Sequence, residues 1–150
     1  MRAVIQRVKR VNLTINNLKV SKIDKGLLVL LAIEESDKMD DILWLSKKIV
    51  LLRIFNDADG VMNKNVQEIQ GNIMVVSQFT LLASTKKGNR PSYTRAAREE
   101  TANKIYKDFI NQISKDFGQS VKAGKFKTDM QIELINDGPV TIIIDTKNKE

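Results

Sequence analysis

Apolar and polar residues alternate along residues 3–8 and again along residues 11–15, the period of half-buried strands. Asn16-Asn17 is a turn signal ahead of a third alternating stretch, residues 18–23, so the chain opens as antiparallel hairpins. Residues 27–33 are continuously apolar, as expected of a central strand covered on both faces. Ser36-Asp37 offers an N-cap for a helix running to about Leu52, with Ile42, Leu45, Ile49 and Leu52 on one face and Lys47 and Lys48 turned away. Asn56-Asp57-Ala58-Asp59-Gly60 has a superficial calcium-loop look. Counting back from Gly60, however, puts Phe55 at the first ligand position and Val66 where the bidentate Glu belongs, so it reads as a solvated turn. Residues 72–79 form a strand and 85–91 a polar loop. A second helix is expected over 94–117, with Ala102, Ile105, Phe109, Ile113 and Phe117 on one face and Gly118 just past its end. Three further strands are expected at 121–126, 130–135 and 140–145, and then a frayed end. The pattern predicts one α+β domain spanning residues 1–150, with a mixed, curved, barrel-like sheet, two principal helices and a tail over about 146–150.

Composition narrows the class. The 150 residues suffice for one sizeable core, and 42% hydrophobic with 29% charged residues is the balance of a globular protein in water. The longest apolar run is far too short to span a bilayer, and Met1-Arg2 leads straight into a strand pattern without a signal-like segment, so a cytoplasmic location is expected. With no Cys, a disulfide framework is excluded. The net charge of +7 favours a polyanionic partner, although a Lys-rich surface also serves solubility. Clustering changes that balance: Lys86, Lys87, Arg90, Arg95 and Arg98 crowd one short segment beyond Thr80.

Two runs stand out chemically. Ser77-Gln78-Phe79-Thr80-Leu81 follows an apolar strand, and Asn136-Asp137-Gly138-Pro139-Val140-Thr141 separates two apolar stretches. The chain has neither His nor Cys, which removes the Ser-His-Asp and Cys-His routes to an activated nucleophile and the usual zinc ligand sets. Thr80 as a nucleophile would need a base that the motif does not contain; otherwise it is a strand-end hydroxyl bonding nearby backbone. Phe79 reads equally as a pocket wall or a core aromatic, and Met130 equally as a pocket or core thioether. Gly138-Pro139 reads on its own as a hairpin turn with a trans bond. Arg7 reads as a strand-surface cation. No metal and no cofactor is expected.

The two runs, in this order, resemble the signatures of the D-aminoacyl-tRNA deacylase family. The opening strand, Lys25-Gly26-Leu27-Leu28-Val29-Leu30-Leu31, Leu52-Arg53-Ile54-Phe55 and Lys87-Gly88-Asn89-Arg90-Pro91-Ser92 match in sequence order as well. The resemblance implies a metal-independent hydrolase that cleaves the ester of D-aminoacyl-tRNA, and of glycyl-tRNA mischarged on tRNA(Ala). The partner would be the 3′ acceptor end of aminoacyl-tRNA. Ser77, Gln78, Phe79 and Thr80 would form the catalytic segment, with their main-chain N–H groups stabilising the oxyanion and the tRNA 2′-hydroxyl assisting water. Gln78 could bond the ribose or terminal adenosine, and Met130 could line the adenine end. The resemblance further implies a two-fold homodimer. In it a cis Gly138-Pro139 pair from one subunit walls the other's pocket against L-side chains, held by Arg7. The rival reading is a non-catalytic RNA-binding homodimer, which the low aromatic content of 5% and the lack of an RNP-like run argue against.

Overall fold

The computed structural model describes residues 1–149. Its longest elements are two strands. β1 (Arg2–Ile15) and β8 (Gln131–Asp145) pair antiparallel along nearly their whole lengths. On the other edge of β1, β2 (Leu18–Ile23) and β3 (Gly26–Ala32) act as one interrupted partner, because the register from Val11↔Ile23 runs on unbroken to Val8↔Gly26. β3 pairs in parallel with β6 (Asn72–Ser77), and β6 with the short β7 (Lys122–Ala123). β2 in turn approaches β6 and β7, so the sheet curls towards closure. β4 (Phe55–Asn56) and β5 (Met62–Lys64) make a separate small hairpin, whose turn is organised by Asp57 accepting from the Asp59 and Val61 N–H groups.

Curling divides the core in two. Leu27, Val29 and Leu31 of β3 face the helices α1 (Met39–Val50) and α2 (Glu99–Phe117), packing with Ile42, Leu45, Ile49, Phe109 and Ile113. Leu28 points into the curl with Val8, Val11, Leu13, Ile23, Met74 and Val76. Both faces of β3 are thus buried, which is why its sequence is an uninterrupted apolar run. Gly26 permits the tightest sheet contact: a Cβ there would sit 1.9 Å from the Asn72 carbonyl oxygen.

Several expected boundaries move, each for a physical reason. Residues 3–8 and 11–15 are one strand. Its register against β8 slips between Val8 and Arg10, and that bulge turns odd-numbered side chains from the helix face (Ala3, Ile5) into the curl (Val11, Leu13). Helix α1 begins at Met39 instead of after Ser36-Asp37. The Asp37 carboxylate is taken by the Glu34 N–H (2.7 Å) and the Met1 amine (2.6 Å), leaving Asp41 to accept from the Lys38 N–H (2.9 Å). Helix α2 begins at Glu99 instead of Thr94, because Ala97 donates to the Ile33 carbonyl and Ala96 pairs with Glu34, extending the sheet edge. β7 ends at Ala123, short of Phe126; after Gly124 bonds the Val75 carbonyl the chain turns outward.

The stretches at 130–135 and 140–145 are a single strand, so Gly138-Pro139 is not a hairpin turn. It is a bulge within β8: between Val8↔Asn136 and Gln6↔Thr141 the excess residues loop out. The end of the chain also departs from the frayed tail expected over 146–150. Thr146 is buried and Lys147 pairs with Asp37 (3.4 Å) and Asp41 (2.7 Å), while Glu150 lies outside the described residues. No helix among the described residues is long and apolar enough to cross a membrane.

Candidate active site

β6 delivers its C-terminal end to an open cleft of about 570 Å³, a size suited to a ligand of a few hundred daltons. Leu31, Ile33 and Val76 form its apolar floor. Ala96, Ala97 and Ala102 keep the α2 side shallow, and Phe126, Met130 and Ile132 form the opposite wall. Ser77, Gln78 and Phe79 supply the rim together with Tyr93, Glu99 and Lys127. Three sequence-predicted residues of the first motif and Met130 from the far end of the chain are therefore brought together. Thr80 is tied to them by one hydrogen bond, Gln78 Nε2 donating to its Oγ1 at 2.5 Å.

The strand stops at Ser77, and residues Phe79–Leu82 form a single 3-10 turn, so the motif does not remain extended to Phe79. This corrects the expected set of main-chain donors. The Gln78 N–H is committed to the Leu31 carbonyl at 2.7 Å and is not available to a ligand. The Phe79 and Thr80 N–H groups open the turn, where no preceding turn accepts from them, and neither has a main-chain acceptor among the described residues. Phe79 is no core aromatic. It is 55% exposed and meets Tyr93 edge-on, with ring centroids 5.1 Å apart, at the lip of the cleft.

Thr80 has no base hydrogen-bonded to it among the described residues. Its neighbour, the Gln78 amide, donates to the hydroxyl oxygen and cannot take its proton. Behind the cleft, the Tyr106 hydroxyl lies 2.9 Å from the Val75 carbonyl and 3.2 Å from the Gly124 carbonyl. Burial pushes its pKa up to about 12, so it serves there as a neutral donor. Across the rim, Lys127 reaches from the segment after β7 to Glu99 at the start of α2 (2.7 Å). No three Asp or Glu side chains cluster as a cation site among the described residues.

Gly138, Pro139 and Arg7 are elsewhere. The Gly138-Pro139 bond is cis, and both residues are exposed at the β8 bulge, outside the residues that line this chain's own cleft. Arg7 is buried beneath the bulge. Its Nε donates to the Asp137 carbonyl (2.9 Å) and its Nη1 to the Ile54 carbonyl (2.6 Å), fastening the loop one residue before Gly138. Asn136 closes the bulge from the other side, donating to the carbonyls of Arg7 (3.1 Å) and Val140 (2.9 Å). Sequence reasoning missed Asn136 as a fastener, along with Tyr93, Phe126, Glu99 and Lys127 as cleft residues. The first lies inside a quoted motif and was there to find, whereas the others come from segments without any motif.

Comparison with known proteins gives the family. Residues 4–145 match the family model described as D-Tyr-tRNA(Tyr) deacylase. The chain is 58% identical to a D-aminoacyl-tRNA deacylase of Bacteroides fragilis and 56% identical to one of Flavobacterium psychrophilum, each over 100% of both chains. Among solved structures it resembles the c-Myc DNA Unwinding Element Binding Protein, with a TM-score of 0.92 and 38% identity over 97% of this chain and 99% of that one. A probable eukaryotic D-amino acid tRNA deacylase shares the fold, with a TM-score of 0.82 at 16% identity over 95% of this chain and 97% of that one. The chain belongs to the D-Tyr-tRNA(Tyr) deacylase family and is a hydrolase of D-aminoacyl-tRNA.

Proposed function

We propose that the cleft beside Ser77–Thr80 hydrolyses the ester of D-aminoacyl-tRNA with main-chain stabilisation of the oxyanion and assistance from the RNA itself. The observation that carries this reading is the state of the motif. Among the described residues no main-chain acceptor claims the Phe79 and Thr80 N–H groups where the turn leaves the cleft rim, and the Thr80 hydroxyl has an amide donor beside it and no base. Water adds to the carbonyl carbon, the developing oxyanion takes the two N–H groups, and the bond to the ribose 3′-oxygen breaks. The vicinal 2′-hydroxyl relays the proton from water to the leaving oxygen, so products are free amino acid and tRNA. Each well-placed donor contributes roughly 10²–10³-fold in such a site. A labile ester needs no more. Ser77 and Gln78 shape the rim, and Met130 packs against the terminal base.

Chirality is assigned to the second motif. The cis Gly138-Pro139 bulge protrudes from β8, whose outer edge pairs with no other strand among the described residues and which carries the exposed Ile135 and Ile143. Ile132 lines the cleft, but Gly138 lies six residues further along β8, on the order of 15–20 Å away. A bulge so placed suits the cleft of a second subunit, with Arg7 and Asn136 anchoring the residues on either side of it and the Gly138 and Pro139 carbonyls facing the amino acid's Cα. An L-side chain would collide with that wall, whereas hydrogen or a D-side chain would not, so glycyl-tRNA is a substrate as well.

The test is a paired substitution. Thr80→Ala should retain most deacylation of D-Tyr-tRNA, and replacing the terminal 2′-hydroxyl by hydrogen should reduce it by at least 10²-fold. L-Tyr-tRNA should survive and glycyl-tRNA should be cleaved. Complete loss with a folded Thr80→Ala protein would point to covalent catalysis instead.

A further inference from the structure

Residues 69–98 contain no Asp or Glu, yet they carry Lys86, Lys87, Arg90, Arg95 and Arg98. The fold sorts these five cations. Arg95 is neutralised by Glu34 at 2.7 Å. Arg98 is the N-cap residue of α2, its main-chain N–H on the Glu35 carboxylate (2.9 Å); its exposed side chain enters no ion pair among the described residues, but it stands beyond the loop, directly before Glu99 and Glu100. The side chains of Lys86, Lys87 and Arg90 are exposed and enter no ion pair among the described residues.

Those three share one loop. Ser84 and Ser92 close it with a reciprocal pair of main-chain bonds, 2.8 and 2.9 Å, and residues 85–91 project beyond. Its base is the lip of the active-site cleft. One arm continues from the 3-10 turn at Phe79–Leu82, and the other runs into Tyr93, whose ring contacts Phe79. Three like charges held on a short loop repel one another and gain nothing inside this chain; they are complementary to a polyanion. A loop of this length, folded back on itself, reaches about 12 Å from its base. A stacked nucleic-acid strand advances about 3.4 Å per nucleotide and an unstacked one further, so the loop spans at most roughly three nucleotides next to the one in the cleft.

We propose that the loop closed by Ser84 and Ser92 is a phosphate clamp, in which Lys86, Lys87 and Arg90 grip the backbone of the single-stranded nucleotides adjoining the aminoacylated end. The proposal rests on the deacylase reading of the cleft and adds where the protein holds the rest of the strand. It also separates two substrate elements: the cleft reads the ester and its nucleotide, while the clamp reads only backbone charge.

The experiment measures binding of uncharged tRNA by fluorescence anisotropy between 50 and 200 mM salt, for the natural protein and a Lys86→Ala, Lys87→Ala, Arg90→Ala triple variant. Each phosphate neutralised contributes about 0.7 to the salt slope of a single strand through the counterions it releases, so the variant's slope should be shallower by about 2. Over that salt range the natural protein should then lose about 20-fold more affinity than the variant. A charge-preserving triple variant (Lys86→Arg, Lys87→Arg, Arg90→Lys) should keep the natural slope. In parallel, the ratio of kcat/KM on D-aminoacyl-tRNA to that on the D-aminoacyl ester of adenosine should fall at least tenfold in the alanine variant. That ratio is independent of the folded fraction. An unchanged slope and ratio, or a slope lost equally in the charge-preserving variant, overturns the clamp. A natural protein with the salt-dependent binding but no hydrolysis of D-aminoacyl esters would instead overturn the reading of the cleft and leave the clamp standing.

Discussion

Gly138 has a φ of +135°, and a Cβ there would sit 2.8 Å from Arg7 Nη2 and 2.8 Å from Val140 Cγ2. Arg7 cannot step aside without releasing the Asp137 and Ile54 carbonyls it holds. Gly138→Ala is therefore expected to destabilise the protein by about 1–3 kcal/mol and to blunt D-aminoacyl-tRNA hydrolysis, checked by thermal melts alongside D- and L-substrate assays. A folded variant with unaltered stability and D-over-L preference would show that the bulge tolerates a side chain and has no role at the substrate. Arg7 itself illustrates what spacing conceals. In sequence it is one more strand cation, yet it is 8% exposed because its guanidinium is spent on main-chain carbonyls under the bulge.

At the scale of elements, a buried hydroxyl ties α2 to β6 through the core. Tyr106, 4% exposed, brings its hydroxyl to the carbonyls of Val75 and Gly124, immediately behind the cleft. Tyr106→Phe keeps the ring's packing against Phe126 and removes only the donor, which should cost about 1 kcal/mol and lower the melting temperature by several degrees. Activity should change no more than a few-fold. A change in activity far larger than the change in stability would mean that the hydroxyl takes part in positioning the substrate. The elements themselves were largely legible. The apolar run of β3, the stripe of α1 and the Gly118 stop of α2 all stand in the structure, Gly118 with a φ of +77°. Their starts were not, because Asp37, Ala96 and Ala97 are diverted into contacts with residues distant in sequence.

For the whole molecule, the closing segment sets the acid response. Burial works to raise Asp41, but hydrogen bonds from Lys147 and Thr146 and from the Lys38 N–H overcome it and hold the carboxyl at about 2. The same Lys147 bond raises the lysine's own pKa. Burial works to raise Asp145 too, but the Lys147 N–H (2.9 Å) and then Arg2 (2.8 Å) overcome it and lower that carboxyl. A carboxylate depressed on folding stabilises the native state above its unfolded pKa and loses that contribution as pH falls through its folded value. The melting temperature should thus hold down to about pH 4 and fall between about pH 4 and 2. Asp41→Asn should lower it at neutral pH and flatten that acid limb; an acid limb identical to the natural protein's would remove Asp41 from the account.

Sequence by itself determined the chemistry available and the order of the parts. A chain without His or Cys cannot build a conventional triad, and its two motif runs, its apolar β3 and its pair of amphipathic helices follow from composition and period alone. Tertiary structure decided what those parts do together. It merged four expected strands into two long ones, because bulges preserve pairing while changing which face each side chain takes. It drew Met130 to Ser77 and Phe79, spent the Gln78 N–H on Leu31, and buried Arg7 under the Gly138-Pro139 bulge. Local pattern records each residue's own preference. Which donor is left free, and which cation is neutralised, depends on partners tens of residues away that only the folded chain brings within reach.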